Sequence, residues 1–414
     1  MPSVSTFSPF DFLPDSSLFG SAASGPLVLF AALLLIGYAA GELMTRLRLP
    51  RLTGYIVVGL VLGDSGLGIV DQAMRDTMRL FIDVGLGLLL FELGQRLDLQ
   101  WMRRERWLWV ISIGEISLTW LLAFTALTLF HFSHIEAAFL AAIVVSTSPV
   151  VVMYMAREEG ADGQVTSRVL TLSALNSLAA FVLAAVMLPM MAYERDRGGL
   201  AAIGQLVMHP AYLLAGSFAL GLIMFLLFRT VARWFGKGAT PQFVLAMSMV
   251  VLAVGLADAF KLSVLCTMLT LGVLAKNADP SRRIRHIEFG VASELFCVIL
   301  FIGAGATAHF SFDSATFYAA IVLIAARMLG KIVPIYGLAA LTPLGLSRAG
   351  LVGIALAPLS GFTALLVVDP AAIGHADTGR LVAVFLTAVA ILELLAPLLV
   401  QFAFRRAKES HPPE

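Results

Sequence analysis

Run after run of this sequence stays apolar for close to the roughly 20 residues a helix needs to cross a hydrocarbon core, and that repetition restricts the fold more than any other feature. Spans can be placed at 27–46, 52–70, 77–95, 107–131, 135–156, 166–192, 210–228, 241–258, 262–276, 290–308, 316–341, 348–368 and 380–404. The runs are continuous and rich in Leu and Ala rather than alternating, which argues against barrel strands. Only 13% of residues are charged and 59% are hydrophobic, where a soluble domain carries about 25% charge. Lipid is therefore the solvent. The expected fold is an all-α polytopic membrane protein of 13 spans, one membrane unit over 27–404 with an outward-facing tail at 1–26 and a short cytoplasmic tail at 405–414.

Most of the 28 Lys and Arg fall in one set of alternate loops and the C-terminal tail, which predicts an N-terminus outside and a C-terminus inside. Residues 1–25 hold no Lys or Arg and so lack the basic start of a secretory signal. Cys266 and Cys297 lie in apolar runs without metal-like spacing and read as small buried hydrophobes. The sequence has no Walker loop, no HExxH, no GxSxG elbow, and its seven His are scattered. A transporter is expected rather than an enzyme, with membrane lipid as its surroundings, no nucleic-acid partner and no cofactor.

Several features recur at nearly one offset. "GLVLGD" (59–64) matches "GVLAKN" (272–277), Asp83 matches Glu294, Glu115 matches Lys331, Pro149 matches Pro358, and Asn176 matches Glu393, at separations between 209 and 217 residues. Each pair lies seven spans apart, an odd number, so the copies run in opposite directions: an inverted repeat of spans 2–6 and 9–13.

Two spans carry helix breakers at matched places. "VVSTSPVVVMY" combines Pro149 with the hydroxyls of Ser146, Thr147 and Ser148, and "ALAPLSGFTALL" combines Pro358 with Ser360, Gly361 and Thr363. Proline removes a backbone donor and hydroxyls can satisfy the freed groups, so both helices are expected to break in mid-membrane and to offer free carbonyls to an ion.

Charges inside the spans are few. Lys331 falls near the middle of its span, Arg327 is one turn away and nearer its start, where it can pair or snorkel, and Glu115 is the most central acid. Burial favours the neutral form of a lysine, which makes Lys331 a candidate proton carrier, with Glu115 as its partner or a second titrating site. Glu92, Glu294 and Glu393 are expected nearer span ends, and Asp83 has no evident partner.

These stretches resemble the bacterial cation:proton antiporters of the Kef- and Nap-like group, over roughly residues 28–404. The likeness rests on "LPRLTGYIVVGLVLGDSGLG" (49–68), "GLGLLLFELGQRLDL" (85–99), "STSPVVVMYMAREEGA" (146–161), "AARMLGKIVPIYGLA" (325–339) and "LAPLSGF" (356–362). The resemblance implies Na+ or K+ exchanged for H+, a bacterial inner membrane, a homodimer, and an ion-translocating core moving beside a dimerisation bundle. It also implies that span 166–192 holds the ion site. In many relatives acids stand where this chain has Asn176 and Ser177, near Ser173. The family's later lysine is matched by Lys331, and the broken-helix positions by Thr147, Ser148 and Ser360. Amide and hydroxyl oxygens can ligate a monovalent cation but do not titrate near neutral pH, so the proton is expected to be handled elsewhere. An uncoupled carrier or channel on the same scaffold is the alternative expectation, and a membrane sensor that binds an ion without transport is a third.

Overall fold

The computed structural model describes residues 25–63, 65–70, 72–196, 200–234, 238–278, 289–308, 310–311, 313–342, 344–359 and 378–411, and every regular element among them is helical. The first half comprises α1 (Gly25–Arg46), α2 (Arg51–Leu62), α3 (Gln72–Arg96), the short α4 (Leu99–Arg104), α5 (Arg106–Leu129), α6 (His134–Val144), α7 (Pro149–Glu158) and α8 (Gln164–Asp196). Then follow α9 (Leu200–Val231), α10 (Ala239–Ala259), α11 (Val264–Asn277), α12 (Gly290–Ala306), α13 (Ser314–Gly337), α14 (Gly345–Ala355) and α15 (Thr378–Ala407).

Seven stretches are long and apolar enough to cross a membrane: 106–129, 134–158, 164–188, 208–231, 240–259, 314–341 and 379–407. Shorter apolar helices cover 51–62, 264–277, 293–306 and 345–355. This is an integral membrane protein. α8 overruns its apolar run, ending in Glu194, Arg195 and Asp196, because backbone hydrogen bonding continues past the point where the sequence turns polar. The second half of the expected span 348–368, including Ser360, Gly361 and Thr363, lies outside the described residues.

Caps fix where helices start. Ser133 accepts from the Glu136 amide at the head of α6, and Ser148 does the same for Val151 ahead of Pro149, the first residue of α7. Asp313 accepts from the Thr316 amide at the start of α13. With no net hydrophobic drive between helices in lipid, close approach depends on small residues. A Cβ on Gly59 would stand 2.1 Å from the Ile302 carbonyl oxygen, and one on Gly305 would meet that of Ile56 at 2.2 Å, so α2 and α12 cross backbone to backbone. In the same way α3 and α11 cross at Gly94 and Gly272.

Several pairings among the described helices come in couples that correspond under the sequence offset noted above. α2 packs on α12 as α11 packs on α3, α5 on α6 as α13 on α14, and α6 on α8 as α14 on α15, while α5 packs directly on α13. The glycine crossings obey the same rule, since Gly59 corresponds to Gly272 and Gly94 to Gly305. One hydrophobic cluster is built largely on α5, α6, α13 and α15, and a larger one takes in α2, α3 and α10 to α12.

Candidate functional site

The helix between His134 and Glu158 breaks at residues 145–148, and α14 stops at Ala355 ahead of an irregular stretch through Leu359. The two interruptions cross. Ser148 donates its amide to the Pro358 carbonyl at 2.9 Å, and the Thr147 hydroxyl donates to the Leu356 carbonyl at 3.4 Å.

Freed carbonyls at this crossing have donors, but hydroxyls supply few of them. Arg327 gives Nε to Val144 at 3.1 Å, Nη1 to Ala357 at 2.8 Å, and Nη2 to Ser146 at 2.7 Å and Pro358 at 3.0 Å. Lys331 Nζ donates to Val145 at 2.7 Å, and Ser177 Oγ to Thr147 at 2.7 Å. The sequence-based picture of open carbonyls awaiting an ion is therefore corrected: protein cations already hold them. Arg327 does not snorkel. It lies near the middle of α13, is fully buried, and its planar fork is the one side chain type that can serve both breaks at once.

Lys331 also faces an acid. Its Nζ is 2.9 Å from Glu115 Oε2, and both side chains are completely buried. Apart from Lys331 and the side-chain amide of Asn176, no described group offers a hydrogen bond to the Glu115 oxygens. The Asn176 amide group lies against the same carboxylate while its Nδ2 donates to Thr147 Oγ1 at 3.3 Å, and its Oδ1 is buried without a partner. Thr119, one turn along α5 from Glu115, and Ser146 likewise have buried hydroxyls with no partner. Unused oxygen is thus available around Glu115 and Asn176, which is what a dehydrated monovalent cation requires.

The other expected residues divide. Thr147, Ser177 and the prolines 149 and 358 stand at the crossing, whereas the Ser173 hydroxyl turns back to the Leu170 carbonyl of its own helix at 2.8 Å. Ser148 serves as the cap of α7. Glu393 does not lie near a span end as expected: it sits close to the midpoint of α15, which runs from Thr378 to Ala407. Asp83 has a partner after all in Arg79, 3.8 Å away and one turn earlier.

A polar seam that the sequence did not reveal ties the far end of α7 to its neighbours. Tyr55 of α2 and Tyr154 of α7 both donate to Glu294 Oε1 of α12, at 2.9 and 3.0 Å. Arg157 donates to Ser293 at 2.7 Å and stands 3.7 Å from Glu92, and Glu158 accepts the Arg51 amide at 2.7 Å. Residues 154, 157 and 158 share one face of α7, a spacing that could have been noticed, but their partners lie in distant helices. Beside the seam is a cavity of about 460 Å³ lined by Arg48, Arg51, Arg157, Glu158, Glu294 and Arg405 among others. At its edge, just past the span, burial pushes the Glu159 carboxyl up, but hydrogen bonds from Arg405, Ser410 and Gln401 outweigh it and hold Glu159 below the usual carboxylate range.

Broken helices crossing over a buried lysine and acid invite comparison with known transporters. The family described as "Sodium/hydrogen exchanger, transmembrane" matches residues 30–406. The chain belongs to the sodium/hydrogen exchanger family. Its fold is similar to that of the sodium proton antiporter MjNhaP1 from Methanocaldococcus jannaschii at pH 8, with a TM-score of 0.62 over 91% of this chain and 97% of that one, at 16% identity. Local likeness extends to the Na(+)/H(+) antiporter NhaS5 of Synechocystis, 38% identical over 89 residues, which is 22% of this chain and 13% of that protein. The iron transporter MagA of Paramagnetospirillum magneticum is 40% identical over 75 residues, 18% of this chain and 17% of that one. The chain thus matches less than a fifth of the length of either curated relative. This exchanger family and fold are those of membrane transporters, not enzymes.

Proposed function

We propose that this exchanger-family chain moves a monovalent cation, Na+ or K+, in exchange for protons, using the Lys331–Glu115 pair in place of acids in α8. The single observation that carries the reading is that pair: a lysine and a glutamate, both fully buried and 2.9 Å apart, beside the unpartnered Asn176 Oδ1. A cation entering between Glu115 and Asn176 takes over the charge balance that the ammonium provides. Lys331 then loses its proton, since a second positive charge in that space is strongly disfavoured. One charge enters and one leaves, so exchange at this site is electroneutral.

Thirteen spans built as an inverted repeat, with N-terminus outside and C-terminus inside a bacterial inner membrane, complete the reading, and the matched helix couples and glycine crossings support it. The charged cavity by α7 serves as the approach for ions, and a homodimer provides the frame against which the core moves. A second reading, an uncoupled carrier or channel, is favoured by the amide and hydroxyl of Asn176 and Ser177, which do not titrate near neutral pH.

Purified protein in liposomes containing a pH-sensitive dye separates the two. Addition of Na+, K+ or Li+ should shift lumenal pH, and Lys331→Gln should abolish the shift. Cation flux without any pH change would establish the uncoupled carrier.

A further inference from the structure

Where α4 turns into α5, three guanidiniums are left over. Arg103, Arg104 and Arg106 are exposed, and among the described residues none of them makes a hydrogen bond or an ion pair. The rest of this elbow is tied down. The Asp98 carboxylate caps α4 by accepting from the amides of Gln100 and Trp101 at 2.8 and 3.1 Å. Asn277 of α11 accepts the Leu99 amide at 3.0 Å and donates to the Leu97 carbonyl at 2.9 Å. Glu105, the only acid between residues 99 and 114, pairs with Arg168 of α8 at 3.2 Å, and that guanidinium lies 5.5 Å from the centre of the Trp101 ring. Trp109 closes the turn by donating Nε1 to the carbonyl of the buried Met102 at 3.0 Å. Held from α8 and α11, the elbow presents its unpaired charges at set positions, which lowers the entropy cost of binding an anion.

What lies beside the charges decides the class of anion. The apolar span of α5 begins at Arg106. Arg106, Trp109, Val110 and Ile113 fall at i, i+3, i+4 and i+7, one stripe of that helix, and all four are exposed. From Arg106 to Ile113 the stripe descends about 10 Å. Trp107, exposed next to Arg106, has an indole N–H that no protein group accepts. Guanidinium at the head, indole at the boundary and aliphatic side chains below form the profile of a membrane interface. A soluble phosphate would use the charges and leave the stripe bare, whereas a phospholipid covers both.

We propose that the elbow of α4 and α5 is a binding seat for an anionic phospholipid. Its phosphate sits among Arg103, Arg104 and Arg106, and one acyl chain lies along Trp109, Val110 and Ile113. Each basic residue at an anionic lipid surface adds roughly fivefold to binding, so loss of all three should weaken it on the order of 100-fold. The seat involves neither the crossing nor the Lys331–Glu115 pair, and it holds whether or not the exchange reading does.

Native mass spectrometry of the full chain in detergent, titrated with phosphatidylglycerol or phosphatidylcholine, reads the binding directly. Melting temperatures in nanodiscs of the same two lipids read its effect on stability. Wild type should bind phosphatidylglycerol more tightly and melt higher in it. Arg103→Gln, Arg104→Gln and Arg106→Gln together should remove that preference, while Lys at the same three positions should keep it. A control triple of exposed arginines elsewhere, Arg46→Gln, Arg348→Gln and Arg406→Gln, removes as much charge and should also keep it. Inorganic phosphate should neither compete with the lipid nor raise the melting temperature as phosphatidylglycerol does. Equal binding of the two lipids by wild type, or an equal loss of preference in the control triple, overturns the proposal, the second because diffuse surface charge would then account for the binding. Inorganic phosphate that matches phosphatidylglycerol also overturns it, in favour of a site for the free ion.

Discussion

Lys331 and Glu115, far apart in sequence, meet at 2.9 Å where α13 packs on α5. Neither has contact with solvent. Removing one partner of a buried pair strands the other charge, at a cost of about 3–5 kcal/mol, whereas removing both together is often nearly neutral. Thermal melts in detergent should therefore show Lys331→Gln and Glu115→Gln each strongly destabilised and the double variant closer to wild type. Additive losses would mean that the pair is not coupled.

Arg327 supports a different prediction, because it donates to the carbonyls of Val144, Ser146, Ala357 and Pro358 from a single planar fork. Each buried carbonyl left without a donor costs about 1–3 kcal/mol. Arg327→Lys keeps the charge and loses the fork, so it should fail to give monodisperse protein on size exclusion, where Arg348→Lys on the surface should behave as wild type.

What the sequence could and could not show follows from the nature of each signal. The break at 145–148 and the end of α14 before the irregular stretch 356–359 were legible, since Pro149 and Pro358 each bring their cause with them. Lys331 was legible as a charge too expensive to be accidental, and its sequence match to Glu115 offered that acid as a partner or a second titrating site. The role of Arg327 was not legible because nothing along one helix's sequence shows which carbonyls of the 145–148 break and of residues 356–359 will lie against it. The Tyr55–Glu294–Tyr154 junction joins three helices far apart in sequence, and no periodicity along one helix records such a meeting.

The glycine crossings give a test of packing with its own control. A methyl at Gly272 would stand 2.3 Å from the Phe91 carbonyl oxygen, so α3 and α11 must separate to admit it. Overpacking of this kind costs about 1–3 kcal/mol. Around Gly255 nothing lies within 4 Å, and alanine there should be neutral or stabilising by up to about 1 kcal/mol. Melting temperatures of Gly272→Ala and Gly255→Ala should move in opposite directions or differ by several degrees; equal values would contradict the crossing.

Outside the span, Glu159 links acidity to the C-terminal segment. Arg405 and Gln401 of α15 donate to its carboxylate, and the His411 amide donates to its backbone carbonyl at 2.8 Å. Its carboxyl is held below the usual range in the folded protein, so the folded state binds this proton less readily than the unfolded chain does. The resulting stability is present above the ordinary glutamate value of about 4.3 and is lost as pH falls through the lower folded value. Glu159→Gln removes that contribution at neutral pH and has none left to lose in acid. Melting curves of wild type and Glu159→Gln should therefore differ most at neutral pH and converge below about pH 4. A gap that stays constant across that range would mean that the carboxylate's charge does not hold the segment in place.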